Sequence, residues 1–335
     1  MDQHRSALGL PAEQVSTLLT AAGQAPSLHN SQPWRFRLRP RSIELHADLD
    51  RQLPIADPSG RELRLACGAA LFNLRLALHA RGIRPTVTIF PDPSQPALLA
   101  AVRDGGHKPP TPNQLRLWQA IPTRHTNRRP FDDVPVGPTE RNALRQAALE
   151  EGSWLQLVEE PDQRRSLQQL AGRAHREQLA DPAFVAELAR WTGTGTDRRD
   201  GVPASAGGPQ PAPQDQWTLR DYTAGSGATR VHGKNFEHEP VLAVLSPYLA
   251  GPAADVGTGQ ALQRVLLTAT TLGLSVSFLS QIVEVATTRE QLRRLISGGR
   301  PPLAVLRIGR GYPVPATPRR DLADLVVSEP AESRA

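Results

Sequence analysis

Gly68-Ala-Ala-Leu-Phe-Asn-Leu-Arg-Leu-Ala-Leu-His-Ala-Arg-Gly82-Ile83 lies without a gap over Gly259-Gln-Ala-Leu-Gln-Arg-Val-Leu-Leu-Thr-Ala-Thr-Thr-Leu-Gly273-Leu274, with Gly, Ala, Leu, Leu and Gly coinciding. From Glu62 to Arg81 almost every position is apolar or small, the pattern of a helix buried on most sides. Gly82 ends it, and Thr86 to Phe90 reads as a strand. Gly259 to Leu272 repeats the helix, Gly273 the stop, and Val276 to Leu279 the extended segment. Trp154-Leu-Gln-Leu-Val158 echoes Trp34-Arg-Phe-Arg-Leu38. The chain therefore reads as an α+β protein of two related halves, residues 1–115 and 116–330, each built on a central buried helix. The competing reading is that any two buried helices share Ala and Leu.

Around this frame the local signals are ordinary. Val15, Leu18, Leu19 and Ala22 share one face of a helix over residues 12 to 23 that stops before Pro26. Trp34 to Leu38 and Ile43 to Ala47 alternate as two strands joined by a hairpin through Pro40-Arg41-Ser42. Between Thr192 and Ala228 the composition changes to runs of Gly and Pro, including Val202-Pro-Ala-Ser-Ala-Gly-Gly-Pro-Gln-Pro-Ala-Pro213. Such a stretch cannot be core; it is a functional lid or a mobile excursion. Its glycines do not make a phosphate loop, because no Gly-Lys-Ser/Thr follows and no strand precedes.

Composition narrows the class of function. The 335 residues are 39% hydrophobic and 21% charged, a globular balance. The net charge of +6 is scattered arginine, and with only 4% aromatic residues the chain lacks the basic stripe and stacking platform of a nucleic-acid binder. The single cysteine, Cys67, excludes a disulfide framework or a cysteine-rich metal site, and no metal site is expected. No stretch approaches a membrane span and the amino terminus has no apolar signal core, so a soluble, cytoplasmic protein is expected.

Three segments combine hydrogen-bonding groups with turn chemistry: Ala25-Pro-Ser-Leu-His-Asn-Ser-Gln-Pro-Trp34, Arg124-His-Thr-Asn-Arg-Arg-Pro-Phe131 and Pro318-Arg-Arg320. Read alone, each is a capped loop, a solvated basic turn or a charged tail. Together the second and third offer what a phosphate monoester requires, several fixed guanidiniums and a hydroxyl. If residues 124, 126 and 128 are extended, Arg124, Thr126 and Arg128 share a side, and Arg319 or Arg320 could close the clamp.

The first of these segments resembles the flavin-contacting loop of the nitroreductase superfamily, and Arg124-His-Thr-Asn-Arg128 resembles its phosphate-binding element. The basic element following the polar loop by about a hundred residues, with Asp200-Gly-Val-Pro203, Gly259-Gln-Ala-Leu-Gln263 and the terminal Pro-Arg-Arg, is similar to the actinobacterial Acg subgroup of flavin proteins. This resemblance implies a nitroreductase-like fold in which the two halves form an intrachain pseudo-dimer. It implies one FMN site, since the second half has Glu150-Glu-Gly-Ser-Trp154 in place of the polar loop and the first has only His4-Arg5-Ser6 in place of the basic element. Pro26, Ser27, Leu28, His29, Asn30 and Gln32 would face the ring and ribityl chain. Arg124, His125, Thr126, Arg128, Arg319 and Arg320 would hold the phosphate, and Leu279-Ser280-Gln281 would lie along the ring edge. His29 reads as a hydrogen-bonded loop histidine without a catalytic part, the chemistry residing in the flavin. The implied activity is hydride transfer from NAD(P)H through FMN to a nitroaromatic or quinone-like acceptor. The alternative is a lidded FMN-binding protein with little turnover. The expected assembly is a monomer, with further oligomers left open.

Overall fold

The computed structural model describes residues 6–194, 197–212, 215–217, 220–223, 225, 240–296 and 298–327. Of the expected lid, residues 195–196, 213–214, 218–219, 224 and 226–228 lie outside the described residues, as do His4 and Arg5.

The first half runs α1 (Ala12–Gly23), β1 (Trp34–Arg39), β2 (Ser42–Ala47), α2 (Arg61–Ala80), β3 (Ile83–Ile89) and β4 (Leu98–His107), followed by α3 (Pro112–Ala120). The second runs α4 (Pro138–Leu149), β5 (Ser153–Leu157), α5 (Pro161–Leu179), α6 (Pro182–Trp191), β6 (Thr192–Thr194), β7 (Val202–Pro203), β8 (Val241–Pro247), α7 (Pro252–Thr271), β9 (Ser275–Phe278), α8 (Gln281–Glu284), α9 (Ala286–Leu295), β10 (Ala304–Gly309) and α10 (Leu322–Leu325). The four-stranded sheets have orders β1-β2-β4-β3 and β5-β8-β10-β9, antiparallel throughout. Matching β1, β2, α2, β3 and β4 with β5, β8, α7, β9 and β10 reproduces one order from the other. The second half differs by insertion. It carries α5 to β7 where the first has a tight hairpin, and α8 and α9 where the first has a short loop.

Why α2 and α7 sit at the centre follows from their small residues. Asp57 starts α2 by accepting from the backbone N–H groups of Arg61 (2.8 Å) and Leu63 (2.9 Å). Pro252 occupies the first turn of α7. Gly257 and Gly259 interrupt the apolar periodicity there, which is why the sequence pattern places the helix start too late, at Gly259. The two helices cross at Gly68 and Gly259. A Cβ on Gly68 would stand 2.1 Å from the Val256 carbonyl oxygen, and one on Gly259 would stand 2.1 Å from that of Leu65. These contacts exchange under the overlay of the halves. Leu65 accordingly packs in the second core and Val256 in the first.

The first sheet has one covered face, and β3 alternates along its length. The second is covered on both: α4 and α7 on one side, α5, α8 and α9 with Val244 and Val305 on the other. Every residue of β8 and β10 is buried, so these strands appear in sequence as plain apolar runs without alternation. The chain after β10 returns to the first half, where Leu325 enters the core and the Val327 N–H donates to the Phe36 carbonyl at 2.8 Å. Contrary to expectation, part of the Gly/Pro-rich segment is buried, with Val202 inaccessible and Ala206 nearly so. Its small side chains let it lie flat on the polar loop. No helix among the described residues is long and apolar enough to cross a membrane.

The crossing makes a sharp demand on substitution. Gly259→Ala must push two helix backbones apart and should cost about 1–3 kcal/mol or more, whereas Gly257→Ala, two residues away in open space, should stabilise α7 by up to about 1 kcal/mol. Urea midpoints of the two variants would show it; equal responses would mean that the helices are not in backbone contact.

Candidate functional site

The polar loop between α1 and β1 is held in a tight, strained form. The backbone N–H groups of Asn30 and Ser31 donate to the carbonyls of Ser27 and Leu28, both at 3.0 Å, and the Gln32 N–H donates to the Ser27 hydroxyl at 2.8 Å. His29, Asn30 and Gln32 adopt φ of 50°, 55° and 51°, left-handed conformations that persist in non-glycine residues only where the surroundings enforce them. Trp34, fully buried, anchors the end of the loop in β1, and the Cys67 thiol donates to the Pro33 carbonyl at 3.2 Å. Burial pushes that thiol's pKa up, so it remains a neutral donor. His29 is 3% exposed, and neither ring nitrogen has a hydrogen-bond partner among the described residues. The expectation of a satisfied structural histidine is therefore not met. Burial, with the cations Arg220 and Arg128, lowers its pKa to about 3, leaving a neutral imidazole with one donor and one acceptor to offer.

The basic element meets this loop from the second half. Thr126 bridges Val276 of β9 in parallel register, and the Asn127 N–H donates to the Val276 carbonyl at 2.9 Å. Asn127 also donates to the Tyr312 carbonyl at 3.1 Å, and Arg307, buried within β10, donates to the Arg129 carbonyl at 3.0 Å with its guanidinium 4.4 Å from the Phe131 ring centre. The segment is thus extended, and Arg124, Thr126 and Arg128 all line one cavity. Arg319 joins them on the returning tail, donating to Asn30 Oδ1 at 3.1 Å and the Thr317 hydroxyl at 2.6 Å. Among the described residues no carboxylate pairs with Arg124, Arg128 or Arg319. Burial and the neighbouring cations Arg319 and Arg128 lower the Arg124 pKa to about 9, and burial lowers that of Arg319 to about 10. The Nε atoms of both lack a partner among the described residues. Buried, clustered guanidiniums without carboxylate partners have the chemistry to hold an anion.

The cavity lies between the two halves and takes lining residues from both. Pro26 to Asn30 form one wall, Leu65 and Ala66 of α2 with Leu262 of α7 another, and Ser277, Phe278 and Ser280 a third. Described residues of the Gly/Pro-rich segment lie against it. Asn30 donates to the Gly201 carbonyl at 2.9 Å, Arg128 to the Ala206 carbonyl at 2.9 Å, and Tyr222 reaches the cavity with its ring centre 4.5 Å from the Arg128 guanidinium carbon. Arg220 pins this end of the lid through a buried ion pair with Glu284 at 2.8 Å and a bond to the Ser280 hydroxyl at 3.2 Å.

No family model matches the sequence. A Mycobacterium tuberculosis protein named "Putative NAD(P)H nitroreductase acg" is 32% identical over 316 residues, 93% of this chain and 94% of its own. The chain belongs to the Acg subgroup of the nitroreductase superfamily. A second M. tuberculosis relative, also named as an NAD(P)H nitroreductase of "putative" standing, is 33% identical over 328 residues, 94% of this chain and 91% of its own. A crystal structure of a "putative nitroreductase" from Anabaena variabilis aligns with 93% of this chain and 90% of its own at a TM-score of 0.53 and 11% identity, a likeness of fold.

On this nitroreductase frame the cavity gathers Pro26, Ser27, Leu28, His29, Asn30, Arg124, Thr126, Arg128, Ser280 and Arg319. It does not gather Gln32, His125, Gln281 or Arg320. Gln32 is spent internally, donating to the Arg199 carbonyl at 2.9 Å and accepting from the Arg320 N–H at 2.9 Å. Arg320 is paired with Asp48 at 3.3 Å. His125 falls on the opposite side of the extended segment from its neighbours, and Gln281 is buried at the start of α8. Asn30 lines the site, yet its amide is committed to Gly201, Pro318 and Arg319. Sequence reasoning missed Glu62, Leu65, Ala66 and Leu262, which read as core helix, and Tyr222, Thr317, Ser277 and Phe278, which carry no local signal.

The orphaned His29 sets a pH limit. Its folded pKa of about 3 lies below the ordinary histidine value of 6.5, so the unfolded chain binds more protons between these values. The stability it confers is full above pH 6.5 and is lost as pH falls toward 3. At pH 5 the loss should be about 2 kcal/mol, read as a fall in melting temperature that His29→Gln removes; an unchanged acid limb in that variant would refute a neutral His29.

Proposed function

We propose that this chain binds FMN in the cavity, its phosphate on Arg124, Thr126, Arg128 and Arg319, and passes hydride from NAD(P)H to an electron-poor acceptor of nitroaromatic or quinone type. The observation that carries this reading is the convergence of three guanidiniums that no carboxylate among the described residues pairs with, facing a strained loop in which neither ring nitrogen of the buried His29 is hydrogen-bonded. FMN supplies the hydride chemistry when bound; the residues around it bind, orient and exclude water. Leu28, Leu65, Ala66, Leu262 and Phe278 give the apolar lining suited to a flat ring system. Neutral His29 can hydrogen-bond a ring heteroatom without adding charge.

A second reading, storage of FMN with little turnover, is favoured by the lid. Tyr222 lies in the cavity itself, and the lid is bonded to both the polar loop and the basic element. A lid that stays shut would keep nicotinamide out; one that opens would gate it.

Purified protein supplied with FMN should show a flavin absorption band. Arg124→Ala or Arg319→Ala should weaken FMN binding about 10- to 100-fold, the worth of one or two charged hydrogen bonds. Arg320→Ala, which loses an ion pair to Asp48 outside the cavity, should leave that affinity within a few-fold of native. Equal affinity in all three variants would remove the phosphate assignment. Bleaching of the band by NAD(P)H under argon, with recovery on adding a quinone, supports turnover; a band that NAD(P)H leaves untouched supports storage.

A further inference from the structure

Glu62 lines the cavity from the first turn of α2, yet its carboxyl has no hydrogen bond or ion pair with any described residue. The charges acting on it are Asp57 from the preceding loop, Glu284 of α8, Asp255 of α7, its neighbour Arg61 and Arg289 of α9. The other three acids are committed: Asp57 caps α2, Asp255 pairs with Arg64 at 2.8 Å and Glu284 pairs with Arg220 at 2.8 Å. Glu62 is the acid of this group left without a partner. On α2 it shares a helix face with Leu65 and Ala66, which form part of the apolar wall of the cavity.

We propose that Glu62 is the specificity residue of the acceptor end, its carboxyl donating a hydrogen bond to an oxygen of an uncharged aromatic acceptor and turning away acceptors that carry a carboxylate. Burial and the three surrounding acids hold its pKa well above the ordinary glutamate range, so the O–H donor is present at low pH and is lost as pH rises through the shifted value. A bound carbonyl or nitro oxygen satisfies that donor, while a carboxylate would meet a region of acids. This rests on the FMN reading for the word acceptor, and on the cavity alone for the binding preference.

The test is calorimetric titration of the FMN-loaded protein with acetophenone and with benzoate over a range of pH. Acetophenone should bind, its affinity falling tenfold or more as pH rises, with benzoate weaker throughout. Glu62→Gln, whose amide still donates, should hold the low-pH affinity for acetophenone at every pH. Glu62→Ala should bind acetophenone weakly at every pH and accept benzoate better than native. No acetophenone binding, a pH-independent affinity in native protein, or an unchanged pH dependence in Glu62→Gln would each overturn the proposal. Failure of the protein to bind FMN would instead sink the functional reading, and the same titration on flavin-free protein would still report on Glu62.

Discussion

The backbone contact of Gly68 with Gly259 fixes the relation of everything else in the molecule. With no side chain between them, α2 and α7 approach until a carbonyl of each lies where a Cβ of the other would be. That closeness lets each half bury a residue of the other, Leu65 in the second core and Val256 in the first. It also sets the cavity, because Leu65, Ala66 and Leu262 near the crossing form its apolar wall. A polar loop fixed to the first sheet and a basic element fixed to β9 then face one another across the cavity. Neither half contains a site without the other.

The pseudo-symmetry is spent on one site. Between α4 and β5, where the first half has its polar loop between α1 and β1, the chain has Glu150-Glu151-Gly152. These acids turn inward to the central helices: Arg75 donates to Glu151 at 2.6 Å and to Gln260 at 2.7 Å, and Arg264 pairs with both Glu150 and Glu151. Both guanidiniums stack over Phe72, at 5.5 and 5.9 Å. Charge left without carboxylate partners at one end of the axis is thus neutralised internally at the other. The insertions reinforce the difference, since α6 leads into the lid and α8 carries the Glu284 that pins it.

Much of this was legible in the residues because it depends on backbone chemistry. The repeated Gly-Ala-Leu pattern marks the two helices that touch, and Pro-Ser-Leu-His-Asn-Ser-Gln-Pro-Trp marks a loop that must bend sharply. The alternation in Arg124, Thr126 and Arg128 holds because β9 pairs with that segment. What stayed hidden depends on where chains separated by long sequence meet. Nothing local distinguishes Arg319 from Arg320; only the return of the tail to Asp48 and Asn30 does. Arg307 looks like any strand arginine until its buried position between Phe131 and the Arg129 carbonyl is seen. Glu62 reads as a first-turn helix acid, a common and usually solvated type, and only the closure of α7 and α8 around it makes it a cavity residue. Strands β8 and β10 escaped for a related reason, both faces being covered.

The energetics of the free protein argue that the site is built for an occupant rather than for stability. Three guanidiniums without carboxylate partners, a buried imidazole with neither nitrogen bonded, an unpaired carboxyl lying among acids that raise its pKa, and three left-handed residues in one loop each raise the energy of the folded chain. None would be expected in a region selected for packing alone. The frame tolerates them because the glycine crossing and the two cores hold the walls fixed. The lid adds donors and acceptors of its own at Gly201, Ala206 and Tyr222, without neutralising any of the three arginines. A ligand that brings negative charge to one end and an uncharged oxygen to the other would relieve most of these costs together, so binding and folding stability must rise in step.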